Sequence, residues 1–257
     1  MGLNPVKLLR YGLAGWLPGG RLHCVICDHH VWRFMPYQSG KQGVPPLMRA
    51  LAMVGSDVDH FECPRCGAHD RERHLLMYLR AAGVLPELRG KSILHFAPEK
   101  RLAGLITAAG PSRHVQADLF PNSPDVQRVD MLAMPFDDGT FDGVIANHVL
   151  EHVGDVDRAL AEIRRVLRPH GYAILQTPYS SKLHHTWEDA GIDTPAARRQ
   201  AYGQEDHVRL FGRDIFERVV AAGFESLVRQ HGELLGDVDA NREGVNPAEP
   251  FFLFRRD

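Results

Sequence analysis

From residue 90 onward the chain alternates short apolar runs with amphipathic segments, and this pattern predicts strands and helices in alternation. The predicted strands are 92–97, 114–117, 126–129, 141–146 and 172–176. Segments 99–109 and 155–167 repeat apolar residues every three or four positions before a Gly or Pro, as helices do. Alternation of this length predicts an α/β fold with a parallel sheet covered by helices on both faces.

Two acidic residues follow predicted strands, at the edge where parallel sheets bind their ligands. Asp118 ends the second strand about 20 residues after the first strand–helix corner, where a carboxylate can accept both hydroxyls of an adenosine ribose. Asp130 follows the third strand, and its apolar neighbours suit the edge and faces of an adenine ring. Each acid alone also fits a turn or a helix cap. Together they predict an adenosine site formed by Asp118, Leu119, Asp130, Met131 and Leu132.

All four cysteines lie in two pairs of identical spacing, Cys24 with Cys27 and Cys63 with Cys66. Two such pairs can bind one tetrahedral ion, and Gly67 permits the tight turn that the second pair needs. The spacing predicts a structural zinc site, closed by four thiolates. Disulfides, a redox-active pair, an iron–sulfur cluster and another thiophilic metal are the alternatives.

The length, composition and net charge limit the class of protein and the kinds of partner. The 257 residues are 44% apolar, enough for one full domain and a small appendage, and the net charge of −2 gives no overall attraction to nucleic acid or an anionic membrane. No apolar run approaches the roughly 18 residues of a membrane span. The N-terminal apolar stretch is broken by glycines and Pro18, which predicts a short helix and not a signal peptide. A cytoplasmic protein is expected.

The run VDMLAMPFDDGTFDGVIANHVLEHVGDVDRALAEIRRVLRPHGYAIL resembles class I S-adenosylmethionine (SAM)-dependent methyltransferases of the type 11 group. The matching features are Met134-Pro135-Phe136, Phe141-Asp142, Leu150-Glu151-His152 and RVLRPHG, in that order. The whole chain also resembles a branch in which a module with two CxxC pairs precedes an ILHFAPE strand. The resemblance implies a doubly wound, mostly parallel, seven-stranded Rossmann-like sheet, whose last two strands begin near Gly223 and within 249–254.

The same resemblance implies roles for individual residues toward SAM. Asp118 would bind the ribose, and Asp130 with Met131 the adenine. Asn147 and His148 would lie under the sulfonium. The segment of chain that runs past the methionine moiety of SAM would include Phe96, Ala97 and Glu99.

The first strand–helix corner departs from the group, because His95, Ala97, Pro98 and Glu99 stand where an acid and glycines are usual. SAM has no pyrophosphate, so this loop need not surround phosphate oxygens. Glu99 begins a helix, where the helix dipole favours an acid, and it could accept from the α-amino group of SAM. Glu99 could equally be a capping acid.

The expected organisation is an N-terminal helical segment (1–22), a zinc-ribbon-like four-cysteine module (23–69), a linking helix (70–89) and a SAM-dependent methyltransferase domain (90–257). Its insertion 178–213 would cover the acceptor, and the stretch 231–249 is expected to be a mobile loop. The apolar stripe after the second cysteine pair predicts a helix that ends near Gly83, and Arg71 and Arg73 in its first turn are either a solvated helix end or an anion clamp.

The expected function is in-line methyl transfer to a small molecule, glycan or secondary metabolite, with His148 or His207 as base. The alternatives are RNA or protein methylation with the zinc module as reader, and SAM binding without catalysis. A nucleic-acid partner is possible but not favoured, and no membrane partner is expected.

Overall fold

A computed structural model describes residues 5–257, which divide into two compact units. Unit 1 contains the chain up to Val44, Gly55–Leu85 and Gln230–Glu249, and unit 2 contains Pro45–Val54, Pro86–Arg229 and Pro250–Asp257. The first four residues of the expected N-terminal helical segment lie outside the described part. Segment 230–249 belongs to unit 1, together with the cysteine pairs.

Ten α-helices occur in the described residues. They are α1 Pro5–Trp16, α2 Pro46–Ala50, α3 Asp70–Ala81, α4 Val84–Glu87, α5 Lys100–Ala108, α6 Val156–Val166, α7 Pro195–Tyr202, α8 Ile215–Ala221, α9 His231–Leu235 and α10 Ala240–Glu243. The helix α6 illustrates how the sequence sets the bounds. Its Ncap residue Asp155 accepts a hydrogen bond from the Arg158 amide at 3.0 Å, and Val156, Leu160 and Ile163 are buried along one face.

Eleven strands occur in the same residues. They are β1 Leu22–Cys24, β2 His29–Val31, β3 Met53–Val54, β4 Ser92–Phe96, β5 Arg113–Asp118, β6 Gln127–Arg128, β7 Phe141–Ala146, β8 Leu167–Ile174, β9 Tyr179–Ser180, β10 Phe224–Ser226 and β11 Leu253–Arg256. Seven of them form the main sheet in the order β10-β11-β8-β7-β4-β5-β6. Only β11 runs in the opposite direction to the other six strands of that sheet. The predicted α/β fold with a mostly parallel seven-stranded sheet is confirmed.

The register of the central strands brings their carboxyl ends to one edge. All five residues of β4 are buried, and Phe96 at its end pairs with Ala117 of β5 and Ala146 of β7. The residues that follow these strands therefore lie side by side, among them Ala97, Asp118 and Asn147. This edge is where the sequence places the SAM site.

One expectation about the end of the chain is wrong. The stretch 231–249, expected as a loop, contains α9 and α10. Contacts within unit 1 order it, because the Glu249 carboxylate lies 3.1 Å from His74 Nδ1 and the Glu249 carbonyl accepts from the Tyr78 hydroxyl. The last strand begins at Leu253, inside the expected range, after Arg229 and Phe251 form an isolated bridge.

No helix within residues 5–257 is both long enough and apolar enough to cross a membrane.

Candidate functional site

The corner after β4 turns the Glu99 carboxylate toward the end of β7. Ala97 has a φ of 45°, unusual for a residue other than glycine, and its amide donates to the Ala117 carbonyl at 2.8 Å. Glu99 occupies the Ncap position of α5, but its side chain makes no capping hydrogen bond. It accepts instead from Asn147 Nδ2 at 2.8 Å, so this acid joins the ends of two adjacent strands.

The groups beside this corner are suited to a cationic ligand. Asn147 is buried, and its Oδ1 atom accepts no hydrogen bond from the described residues. A buried acceptor without a donor is costly, and it lies on the side chain that already contacts the Glu99 carboxylate. A carboxylate and an amide oxygen together can accept from an ammonium group, which fits the α-amino end of SAM.

The two acids proposed for the adenosine form local turns through one carboxylate oxygen each. Asp118 Oδ1 accepts from the Phe120 amide at 2.8 Å, and Asp130 Oδ1 accepts from the Leu132 amide at 2.8 Å. These bonds are those of turn residues, the alternative that the sequence left open. Each acid keeps a second oxygen for a ligand, and Asp118 is followed by the exposed Leu119.

A buried carboxylate, Glu151, lies between two histidines and a threonine hydroxyl. Thr177 Oγ1 donates to Glu151 Oε2 at 2.9 Å. On the other oxygen, Oε1, His148 Nδ1 lies at 3.5 Å and His207 Nε2 at 4.0 Å. His152 packs edge-to-face on His207, with ring centroids 4.8 Å apart. The structure thus brings the two predicted catalytic histidines to one acid that the sequence analysis had given no role.

The protonation of this cluster follows from burial and charge. Burial raises the pKa of Glu151, but the hydrogen bond and charge of His148 and the charges of His207 and His152 outweigh it and lower that pKa to about 2. Burial lowers the pKa of His207, partly opposed by the charge of Glu151. At neutral pH, Glu151 is therefore an anion and His207 a neutral imidazole.

His148 has a backbone conformation that costs free energy. Its φ of 55° is in the left-handed region, which for a residue other than glycine or asparagine is worth about 1–3 kcal/mol of strain. Its amide is held by the Gln176 carbonyl at 2.8 Å. Together with Ala97, this gives two such residues at the ends of the adjacent strands β7 and β4, and strained backbone of this kind is concentrated at functional sites.

The insertion 178–213 is fixed to the turn after β7 by Arg209. This buried guanidinium donates from Nη1 to the Leu150 carbonyl at 3.1 Å and also to the Val153 carbonyl, and from Nη2 to the Gly154 carbonyl at 3.0 Å. Next to it, the Val208 amide donates to the Glu151 carbonyl at 3.0 Å. Because Arg209 is used in this way, it is not placed to bind an anionic acceptor. The same bonds hold His207 beside Glu151.

The four cysteines converge within unit 1, as the sequence predicts. Their sulfur atoms all lie within 4.8 Å of one another, and Cys24 Sγ is 3.8 Å from Cys66 Sγ. A disulfide needs about 2.05 Å. A tetrahedron with metal–sulfur bonds of about 2.3 Å has edges of roughly 3.8 Å, so the four thiols fit zinc.

The two turns that carry the cysteines have the same backbone form. Gly67 has a φ of 78° and donates to the Cys63 carbonyl at 2.9 Å; Asp28 has a φ of 54° and donates to the Cys24 carbonyl at 2.8 Å. Amides of Arg65 and Cys66 also bond to the Cys63 sulfur. These turns aim both pairs at one point.

A second group in the described residues has metal-ligand geometry. One ligand atom each from Glu151, His152 and His207 lies within 4.8 Å of the others. All three already have protein neighbours: Glu151 accepts from Thr177, and His152 Nδ1 is 3.3 Å from an Asp206 carboxylate oxygen. An acid–base role for this cluster requires none of these contacts to change.

Arg73 is not available as the anion clamp considered for the helix after the cysteines. It is fully buried within unit 1 and stacks on Phe34, with the guanidinium carbon 3.9 Å from the ring centroid. Its nitrogens donate to five backbone carbonyls, those of His60, Phe61, Ala68, Glu243 and Gly244. The role of this residue is structural.

Comparison with known proteins identifies a domain within the chain. Residues 90–175 match the family model described as “Methyltransferase domain”. This part of the chain is similar to that domain, which supports the predicted enzyme class.

Several curated relatives are named as methyltransferases, from bacteria and a fungus. The 2-phytyl-1,4-naphtoquinone methyltransferase of Synechocystis sp. is 32% identical over 55% of this chain and 49% of its own length. The demethylmenaquinone methyltransferase of Symbiobacterium thermophilum is 34% identical over 44% and 40%. The O-methyltransferase cnsE of Penicillium expansum is 31% identical over 49% and 40%. The chain thus spans half or less of the length of these relatives.

Among solved structures, a similar one is an S-adenosylmethionine dependent methyltransferase from Mesorhizobium loti. The two are 16% identical with a TM-score of 0.47, over 70% of this chain and 97% of that one.

Proposed function

We propose that the chain is a SAM-dependent methyltransferase that acts on a small-molecule, glycan or secondary-metabolite acceptor. The observation that carries the proposal is the row of hydrogen-bond acceptors at one edge of the sheet. Glu99 and Asn147 follow β4 and β7, and Asp118 and Asp130 lie at the ends of β5 and β6. The methyltransferase-domain match over 90–175 covers the strands that present these groups.

Each of these acceptors has a proposed partner in SAM. Asp118 would accept hydrogen bonds from the ribose hydroxyls through the carboxylate oxygen that is not used in its turn. Asp130, Met131 and Leu132 would hold the adenine. Phe96 and Ala97 would lie alongside the amino-acid moiety. Glu99 and the unsatisfied Asn147 Oδ1 would accept hydrogen bonds from the ammonium group of that moiety. When bound, SAM supplies an electrophilic methyl group on a sulfonium.

Proton removal from the acceptor is assigned to His148, oriented by Glu151. His148 Nδ1 lies 3.5 Å from the Glu151 carboxylate, and with the proton on Nδ1 it is Nε2 that would take the proton of the acceptor. An imidazole positioned by a buried acid is the usual base–orienter pair of acid–base catalysis. The charge of Glu151 would stabilise the imidazolium that forms.

His207 is the alternative base in the same cluster. Its Nδ1 lies 3.0 Å from the Tyr202 carbonyl, which can only accept, so Nδ1 carries the proton and Nε2 the lone pair. That Nε2 is buried without a hydrogen-bond partner among the described residues, 4.0 Å from Glu151 Oε1. A neutral imidazole of this kind can accept a proton at neutral pH without first losing one.

The acceptor class is supported by two observations. Two curated relatives are named as methyltransferases of naphthoquinone or menaquinone type compounds, and a third is named an O-methyltransferase. The insertion 178–213 is fixed through Arg209 and His207 to the turn that carries Glu151, so it is placed beside the proposed base.

We also propose that the four cysteines bind one structural zinc and that the protein acts in the cytoplasm. Reduced thiols are needed for this site, and reducing compartments keep them reduced. Zinc with four thiolates has no open coordination position, so it would stabilise unit 1 and take no part in methyl transfer.

A label-transfer experiment tests the proposed function. The zinc-loaded protein is incubated with methyl-tritiated SAM and with small-molecule, glycan and lipid fractions of a cell extract, before and after ribonuclease and protease treatment. We expect label in a fraction that resists both enzymes, and no label with Asp118→Asn. Label that either enzyme removes would contradict the acceptor class. A wild-type signal no higher than that of Asp118→Asn in every fraction would contradict the activity.

A further inference from the structure

The helix α1 has its apolar side chains on the face that points away from the protein. Val6, Leu9, Leu13 and Trp16 follow one another at helical spacing, and each is between 50% and 64% exposed. Leu17, just after the helix, is 48% exposed. A surface helix of a water-soluble protein ordinarily has charged or polar residues on this face. The arrangement of α1 is therefore the reverse of the usual one.

The opposite face of α1 packs against the rest of unit 1, and this packing determines the orientation of the helix. Ala14 is buried and its carbonyl accepts from the Trp32 amide at 2.8 Å. A Cβ at Gly15 would lie 3.3 Å from the Pro64 carbonyl carbon, so the backbones approach closely there. The Tyr11 hydroxyl donates to Glu62 at 2.8 Å. Rotation that would bury the apolar stripe would break all of these contacts.

A second tryptophan extends the apolar surface beyond the helix. Trp32, at the end of the β1–β2 hairpin, is 53% exposed, and its indole N–H donates to the Pro18 carbonyl at 3.2 Å. Its ring lies 3.4 Å from where a Cβ at Gly19 would be. The surface formed by Val6, Leu9, Leu13, Trp16, Leu17 and Trp32 is called the α1 patch below.

The stretch of sequence that carries α1 is positively charged, and Glu62 is an acid that contacts it, through Tyr11. Residues 1–27 contain Lys7, Arg10 and Arg21 but no Asp or Glu, whereas the whole chain has a net charge of −2. A fourth cation, Arg65, stacks on Trp16 with its guanidinium carbon 4.1 Å from the ring centroid. The overall charge thus conceals a local excess of cations beside exposed Leu and Trp side chains.

We infer that the α1 patch binds the surface of an anionic lipid bilayer, with α1 lying in the plane of the interface. A helix with Trp and Leu on one face and flanking Lys and Arg is the type that inserts its apolar face at the level of the headgroups. Indole rings favour this depth, and anionic headgroups attract the cations. This inference replaces the expectation of no membrane partner, which rested on overall charge.

A second copy of the chain is a poorer occupant of the patch. Two α1 helices packed together would bring Lys7 and Arg10 of both copies to one interface, and residues 1–27 have no acid to pair with them. The patch also has only six side chains, against the roughly 20–30 residues on each side of a stable interface. An anionic surface satisfies both the apolar and the charged part.

Vesicle binding by the zinc-loaded full chain tests the inference. Large unilamellar vesicles of phosphatidylglycerol and phosphatidylcholine are compared with vesicles of phosphatidylcholine alone, with co-sedimentation and tryptophan emission as readouts. We expect binding to the anionic vesicles, a blue shift of the emission, and weaker binding at high salt. Leu9→Glu/Leu13→Glu is expected to reduce the bound fraction at least tenfold, and Lys7→Gln/Arg10→Gln to reduce the preference for anionic lipid.

Val220→Glu on α8 is the matched control, because it also places an acid on an exposed apolar position. It should bind vesicles like the wild type. The inference is overturned if the wild type does not bind anionic vesicles or if Val220→Glu loses binding equally. It is also overturned if the patch variants only dissociate a dimer seen by sedimentation. SAM affinity of the Leu9/Leu13 variant should stay unchanged, so failure here leaves the proposed function standing.

Discussion

Glu151 combines features that separate it from the other acids of the chain. It is buried, it is ionised at neutral pH, and it contacts His148, His207 and the Thr177 hydroxyl. A carboxylate in such a position determines both the orientation and the proton affinity of the imidazoles beside it. The role proposed for Glu151 is to position the base.

Replacing Glu151 by Gln tests this role without removing the side chain. Because the charge of Glu151 raises the pKa of His207 while burial lowers it, we expect Glu151→Gln to lower that pKa further below its ordinary 6.5. Histidine titration by NMR measures the change directly. Once an acceptor is available, kcat is expected to fall about 10–100-fold with little change in SAM affinity. A His207 pKa that rises or stays constant in the variant would contradict the account.

The residue scale is also where the sequence was least informative. Glu151 was visible within the LEH motif, but its partner His207 is 56 residues away, and no local pattern indicates that the two meet. Asn147 was assigned to the cofactor floor, whereas its bond to Glu99 depends on the register of β4 and β7. Asp118 and Asp130 could be placed from spacing alone, because a strand end determines where the next residue points.

At the scale of elements, Arg73 links α3 to the segments around it within unit 1. Its five carbonyl partners lie just before and just after the second cysteine pair and at the end of α10. If the guanidinium were removed, these carbonyls would lose their hydrogen-bond donor. The helices α9 and α10 contain few apolar residues, so contacts of this kind order 231–249.

Arg73→Met is expected to destabilise the protein strongly while nearly preserving side-chain volume. Loss of a buried cation that satisfies several carbonyls costs about 3–5 kcal/mol of unfolding free energy. Urea unfolding of the zinc-loaded protein measures it. Arg80→Met, on the exposed side of the same helix, is the control and should change the unfolding free energy by less than about 0.5 kcal/mol. Equal losses in the two variants would show that the carbonyl contacts of Arg73 are unimportant.

Elements with strong periodicity were predicted closely, and those fixed by distant contacts were not. The helix after the second cysteine pair ends near Gly83 as expected, with α3 spanning Asp70–Ala81. The strands β4, β5 and β7 agree with their apolar runs to within one or two residues. By contrast, 231–249 looked like a loop because its order comes from His74, Arg73 and Tyr78, more than 150 residues earlier.

At the scale of the whole molecule, the four cysteines are expected to make unit 1 dependent on metal. Without an ion, four thiols within 4.8 Å of one another lose the bonds that hold the two turns together. We expect one zinc per chain by elemental analysis. A chelator should remove it with loss of secondary structure and a lower Tm, and added zinc should restore both. Cys63→Ser should bind well below one equivalent.

Magnesium is the control for this experiment, because a hard cation is not expected to replace zinc at thiolates. Iron with acid-labile sulfide in the purified protein would contradict the zinc assignment and favour a cluster. A Tm that the chelator leaves unchanged would contradict the structural role.

The central claim is that the edge formed by β4, β5 and β7 binds SAM, and calorimetric titration tests it most directly. Wild-type protein is titrated with SAM beside Asp118→Asn and Asp125→Asn; Asp125 is an exposed acid a few residues further along. We predict one site per chain, at least a tenfold loss of affinity in Asp118→Asn, and wild-type affinity in Asp125→Asn. No heat of binding in the wild type, or equal affinities in all three proteins, would contradict the account.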